Sequence, residues 1–113
     1  MIARLWHGRT RLSDADEYVE FMKVRAAPDY GSLDGLERLY FLRRDEGDVA
    51  HFLLVTFWDS MDSVRHFAGD EPEKAKYYPE DDDFLLEKEE TSALYEVFLE
   101  NRRPPRHSNE LAT

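Results

Sequence analysis

The sequence predicts an α+β sandwich, one antiparallel sheet with its helices on a single side, in the order strand, helix, strand, strand, helix, strand. Three observations predict it. Alternating runs stand near both ends of residues 1–100, a pair of long strand-like runs lies between two helical patterns, and the second of that pair is apolar on both parities.

Residues 2–10 alternate, with Ile2, Arg4 and Trp6 on one parity and Ala3, Leu5 and His7 on the other, which reads as a first strand. Ser13, with Asp16 three residues on, has the form of a helix N-cap, and Asp14, Asp16 and Glu17 suit the positive end of a helix dipole. Tyr18, Phe21, Met22 and Arg25 then recur at spacings of three and four, and Pro28 is expected to end that helix, placing it over 13–27. "GLERLYFLRR", "DEGD" and "VAHFLLVTFW" read as strand, turn and strand, a hairpin. Ser60 caps a short helix whose Met61, Val64, Phe67 and Ala68 share a face, and Gly69 supplies the stop. "ALYEVFLE" is the last strand. This is the split βαβ plan of a ferredoxin-like fold.

A sheet covered on one side should be polar on the other. The third strand is not: Phe52, Leu54 and Trp58 share one parity, and His51, Leu53, Val55 and Phe57 the other. The simplest cover for the second face is the same face of another copy, so a homodimer is expected, its two sheets closing a barrel. No repeat or second domain is visible; residues 1–100 form the expected domain, and 101–113 a basic tail expected to be disordered.

Composition narrows the function classes. A chain of 113 residues is one domain, which buries only about two thirds of its unfolded surface, so a partner copy would help. With no cysteine there is no disulfide framework, thiolate nucleophile or Cys-ligated zinc. The 15 basic and 25 acidic side chains leave a net charge of -10, which repels nucleic-acid phosphates. Residues 69–90 alone hold ten acids against three lysines. "MIARLWHGRT" lacks the pattern of a signal peptide, and no apolar run approaches the roughly 20 residues that span a bilayer, so a cytoplasmic protein without membrane contact is expected.

Together with this plan, "FWDSMDSVRHFAG", "AKYYPEDDDFL" and "LYEV" make residues 2–99 resemble the antibiotic biosynthesis monooxygenase family of dimeric α+β barrel proteins. The resemblance implies a homodimer with one small-molecule pocket per subunit, between sheet and helices. Members include cofactor-free oxygenases of aromatic polyketides, haem-degrading enzymes and isomerases, so the family names no single reaction. In haem-degrading members a first-strand Asn, a helix Trp and a haem-ligating His do the work. Spaced from Trp58, those positions fall here at Trp6, Phe67 and Tyr77, and none matches. A His that relatives carry before the last-strand Tyr is Leu94 here, which removes a proton carrier. Haem chemistry is therefore disfavoured and no cofactor is expected.

The expected ligand-binding set is Arg4, Trp6, Met22, Arg25, Leu54, Phe67, Tyr77 and Tyr78, with no catalytic residue assigned. Trp6 either walls a pocket or is a plain core aromatic. Tyr77 and Tyr78 either offer a hydroxyl to a bound carbonyl or phenol or simply pack. Arg25 either steers an anion or sits in a surface ion pair. His51 and His7 share the barrel parity and could pair across the dimer interface, making association pH-sensitive, while His66 falls off the apolar face. The "EDDD" run, Glu80 to Asp83, lacks the spacing and Gly of a calcium loop and reads as a solvated turn, and no histidine spacing makes a metal site. Two function classes follow: a cofactor-independent monooxygenase or isomerase of a small aromatic or polyketide-like molecule, and a non-catalytic ligand-binding dimer.

Overall fold

β1, Ile2–Arg11, runs through the interior of a four-stranded antiparallel sheet of order β2-β3-β1-β4, in a computed structural model that describes residues 1–31 and 33–102. β2 (Leu36–Glu46) and β3 (Val49–Trp58) form the expected hairpin, paired from Leu36↔Trp58 to Glu46↔Val49 with one bulge between Leu36 and Arg38. β3 then pairs with β1, setting Trp6 against Leu54 and Arg4 against Thr56. This is the ferredoxin-like arrangement that the alternation implied.

β4 is shorter than the sequence suggests. It spans Ala93–Glu96 rather than the whole of "ALYEVFLE", because its partner runs out: Ile2 is opposite Glu96, and only Val97 N–H reaches back, to the Met1 carbonyl at 3.0 Å.

The helices cover the parity that carries Trp6, Phe52, Leu54 and Trp58, all buried. After a 3-10 turn at Leu12–Asp14, α1 covers Ala15–Phe21; Ser13 therefore lies inside that turn and is not the cap. The chain continues as a π-helical segment, Met22–Ala26, and then as α2, Ala27–Gly31. Pro28 does not end the helix as expected. It falls in the first turn of α2, where a missing N–H and a preset φ are tolerated, and the wider π turn precedes it. α3, Met61–Ala68, begins and ends as predicted: Ser60 Oγ accepts the Ser63 N–H at 3.2 Å, and Gly69 takes φ 86°. It docks through Val64, fully buried, and Phe67, whose ring stacks on Trp58 at 5.4 Å. Burial of that valine contributes about 1.5–3 kcal/mol.

Among the described residues no helix covers the opposite face. Leu53, Val55 and Phe57 are half-buried there, while Tyr40 and Leu42 on β2 and Tyr95 on β4 are exposed. Between α3 and β4 the acidic segment runs along the free edge of β1, held by the Thr10↔Leu85 bridge and by Leu86 N–H donating to the Arg9 carbonyl at 2.9 Å.

Candidate functional site

The π-helical segment supplies part of the wall of a candidate site. Its Met22 and Ala26 turn toward the sheet and, with Trp6 and Leu54, wall a small cavity of about 20 Å³, room for about one water. Tyr18 and Phe21 from α1, Tyr30 from α2, and Lys76, Tyr78 and Asp81 from the crossing segment complete it. Outside it, Tyr30, Lys76 and Tyr78 are shared with a cleft of about 340 Å³ that Phe67, Tyr77 and the exposed His66 also line. The outer cleft has the size of a small-molecule site, and the inner cavity adjoins it at those three shared residues.

Trp6 is the sheet's contribution. Its indole meets Tyr77 edge to face at 5.9 Å, and among the described residues its buried Nε1–H has no hydrogen-bond partner. Burial raises the Tyr77 phenol pKa, and the neighbouring indole N–H opposes that rise without the geometry of a bond. Tyr77 instead donates to the Glu89 carbonyl. An orphaned buried donor costs about 1–3 kcal/mol, which a carbonyl or phenolate oxygen in the cavity would offset.

Arg4 lies beside it, 2% exposed, donating from Nε to the Pro72 carbonyl at 3.2 Å and from Nη2 to the Lys74 carbonyl at 2.8 Å. Desolvation lowers its pKa, partly offset by Tyr30. Among the described residues no carboxylate pairs with it. Arg4 and Lys76 also stand 5.5 and 4.4 Å from the centre of the Phe67 ring. Of these two cations only Lys76 lines the inner cavity and the outer cleft, which also hold Asp81 and Asp29 respectively.

Of the eight expected site residues, Trp6, Met22, Leu54 and Tyr78 come together at the inner cavity, and Phe67, Tyr77 and Tyr78 at the outer cleft. Arg4 reaches Phe67 from behind. Arg25 stays outside, paired with Glu80 at 3.8 Å and lying over the Tyr78 ring at 4.9 Å. Sequence reasoning missed Tyr30, Lys76 and Asp81 as lining residues. Tyr18 and Tyr30, twelve apart across a helical stretch, were the available signal for one wall.

Asp81 requires a correction. The acidic run is not uniformly solvated: Glu80, Asp82 and Asp83 are exposed, but Asp81 is 3% exposed. A 3-10 turn, Pro79–Asp83, folds it inward, where Oδ2 accepts the Tyr78 N–H at 2.7 Å and Oδ1 accepts the Tyr18 hydroxyl at 2.8 Å. Burial raises its pKa, and those two hydrogen bonds act against the rise. The Tyr18 phenol is pushed far up by burial and then by Asp81, so it remains a donor. Tyr78, also raised by burial, donates to Asp29 at 2.8 Å.

The histidine pair is also corrected. His7 and His51 meet within one chain, Nε2 to Nδ1 at 3.1 Å, because their strands are neighbours in the sheet. His7 Nδ1 contacts Glu89, and His51 Nε2 lies 3.2 Å from Glu46. All four side chains belong to the open face, away from the cavity. Among the described residues no group of acidic, histidine or cysteine side chains has metal-holding geometry, and no helix is long and apolar enough to cross a membrane.

A helix-covered antiparallel sheet with an aromatic cavity between sheet and helices defines this chain as a ferredoxin-like α+β protein. Two solved structures share that fold: a Bacillus cereus protein named as an antibiotic biosynthesis monooxygenase (TM-score 0.63, 13% identity, 90% of this chain and 97% of that one), and a substituted MhuD holding two manganese protoporphyrin IX molecules per active site (TM-score 0.59, 17% identity, 91% of this chain and 100% of that one). No family model matches the sequence, and no curated protein matches it. Among the described residues no imidazole lines the inner cavity, the exposed His66 lines the outer cleft, and the Tyr77 hydroxyl is already donated to the Glu89 carbonyl.

Proposed function

We propose that this chain is a cofactor-independent monooxygenase-like enzyme, acting as a cytoplasmic homodimer on a small aromatic or polyketide-like molecule bound between sheet and helices. The observation that carries the reading is the buried Trp6 Nε1–H, without an acceptor among the described residues, on a side chain that walls a cavity lined by aromatic and aliphatic groups together with Lys76 and Asp81. A substrate oxygen would take that hydrogen bond, while Phe67, Tyr77 and Tyr78 hold the ring system in the outer cleft and Arg4, Met22 and Leu54 support them; Arg25 guards the rim through Tyr78. The chemistry needs no metal when the substrate itself becomes electron-rich. A CH₂ group beside a carbonyl loses a proton, the carbanion reduces O₂, and one oxygen atom stays as a new carbonyl while the other leaves as water. The neighbouring structure named as a monooxygenase supports the fold on which such a site would be built. A second reading, a non-catalytic binding dimer or an isomerase, uses the same cavity without oxygen.

The test is a thermal-shift screen of phenols, anthrones, quinones and lactones, followed by an oxygen electrode. Oxygen uptake with a hit supports the oxygenase; conversion without uptake selects the isomerase; binding alone selects the non-catalytic dimer. Trp6→Phe, which keeps the ring and removes the donor, should weaken the hit by about tenfold, one lost hydrogen bond. Undiminished binding would remove Trp6 from the site.

A further inference from the structure

The acidic run contains one carboxylate that differs from its neighbours in every respect. Glu80 is paired with Arg25 and Asp82 with Lys88 at the surface, whereas Asp81 is buried and, among the described residues, meets no cation. Among the described residues it is also the single carboxylate lining the inner cavity, which is lined too by Trp6, whose buried Nε1–H has no acceptor among them. We propose that Asp81 is the proton acceptor of this site, serving a phenol, enol or β-dicarbonyl compound whose oxygen binds the Trp6 Nε1–H.

The geometry suits the role. A carboxylate offers about four lone-pair positions, and Tyr18 Oη and Tyr78 N–H occupy one on each oxygen, fixing the group in place while leaving the others free. In the proposed step an O–H or C–H bond of the ligand breaks, its proton goes to an Asp81 oxygen, and the electron pair stays on the ligand as a phenolate or enolate. That oxygen, now charged, binds the indole N–H more strongly than the neutral one did, so the donor favours the deprotonated state. Lys76 borders the same cavity, though its Nζ is engaged with the Phe67 carbonyl at 2.8 Å.

The groups that face Asp81 are Tyr18 from α1, Tyr30 from α2, Tyr77 and Lys76 from the crossing segment, and Glu80 and Asp82 on either side; Trp6 and Leu54, from the sheet, carry no charge. Burial keeps the carboxyl basic for an aspartate, and the Tyr18 hydroxyl limits that basicity. The π turn at Met22–Ala26 supplies another wall through Met22 and Ala26, and this wider turn is where the small cavity would widen to admit the acidic group.

This inference rests on the small-molecule reading above, and two probes separate their failures. The first is 4-nitrophenol, whose absorption distinguishes phenol from phenolate; the second is 1,8-dihydroxyanthrone, followed by oxygen uptake. Wild-type protein is expected to hold 4-nitrophenol as the phenolate, and Asp81→Asn to hold it as the phenol. Turnover of the anthrone should fall about 100-fold or more in Asp81→Asn, with loss of the rise in rate with pH. The exposed Asp83→Asn serves as the control and should match wild type. Tyr18→Phe removes a hydrogen bond that stabilises the carboxylate, so it should move the rising limb to higher pH, a change that a merely structural Asp81 would not give. This variant decides the matter if Asp81→Asn does not fold. Phenolate discrimination without oxygen uptake keeps Asp81 and sinks the oxygenase. Equal rates and pH limbs in wild type, Asp81→Asn and Tyr18→Phe overturn Asp81 and leave the oxygenase standing. Failure of both probes to bind wild type at millimolar concentration removes both.

Discussion

The Trp6 indole lies across Gly8: a Cβ at Gly8 would stand 2.6 Å from Trp6 Cη2 and 3.0 Å from Leu85 Cδ2. Both residues lie on the helix-facing parity of β1, so the absence of a side chain at one makes room for the ring of the other. A rigid ring held between the strand and the cavity cannot yield as a flexible chain would. Gly8→Ala is therefore expected to destabilise by about 1–3 kcal/mol through overpacking and to change the near-ultraviolet circular dichroism. An unchanged melting temperature and spectrum would show that the indole is free to move.

Gly35 presents a second close approach, with φ 81° and a virtual Cβ 2.2 Å from Ser63 Oγ. Ser63 in turn donates to Asp59 at 2.6 Å, within the cap of α3. Gly35→Ala should therefore loosen the start of α3. Adding Ser63→Ala should recover little, because Ser63 Cβ would still stand 2.5 Å and Asp59 Oδ1 2.8 Å from the new methyl group, and the left-handed backbone costs an alanine roughly 1–2 kcal/mol on its own. Full recovery in the double variant, measured by urea unfolding, would assign the whole effect to the Ser63 hydroxyl.

Two aspartates should give stability opposite dependences on pH. Hydrogen bonds from Ser63 and then Ser60 hold Asp59 below the usual carboxylate range, so its contribution is present above its unfolded pKa and fades as pH falls through the folded value. Burial holds Asp81 above that range, so its contribution is fully present below the unfolded value and is lost as pH rises through the folded one. Relative to wild type, Asp59→Asn should do most damage near neutrality, and Asp81→Asn most damage in acid, below about pH 4. Urea titrations of both variants across this range check the signs; parallel curves would refute the assignment.

The uncovered face of the sheet makes a prediction about assembly. Val55 sits among Leu5, Leu53 and Phe57 on that face, half-buried in the single chain. A dimer would remove it from water, and Val55→Asp would then bury an unpaired charge. Light scattering should report a wild-type dimer at micromolar concentration and a monomer or unfolded chain for the variant. A stable wild-type monomer would remove the dimer.

Haem should bind weakly. Titration followed at the Soret band is expected to show no tight stoichiometric complex, since the Tyr77 hydroxyl is committed to a backbone carbonyl and, among the described residues, the imidazole at the outer cleft is the exposed His66 and none lines the inner cavity. Tight binding with reductant-dependent bleaching would reverse this reading.

Local pattern was enough to determine the order and faces of the strands, though not the length of β4: β3 begins and ends where its apolar run does, and Ser60 and Gly69 delimit α3 as short-range capping dictates. It also placed Trp6, Leu54 and Met22 on facing parities, because the periods of strand and helix assign each side chain to one side. The expected tail, from residue 103 onward, lies outside the described residues. Tertiary structure decided what periodicity does not encode, namely which distant segments meet. Pro28 was absorbed by a π turn that fits the helix to the sheet, and His7 met His51 within one chain because β1 and β3 are neighbours. Of four adjacent acids with the same local pattern, Asp81 alone was drawn inside, by the Tyr78 N–H in its own turn and by the hydroxyl of Tyr18, 63 residues away. A run of carboxylates reads as solvent-facing because each alone prefers water; only a folded cavity that supplies two donors can make one of them an interior group.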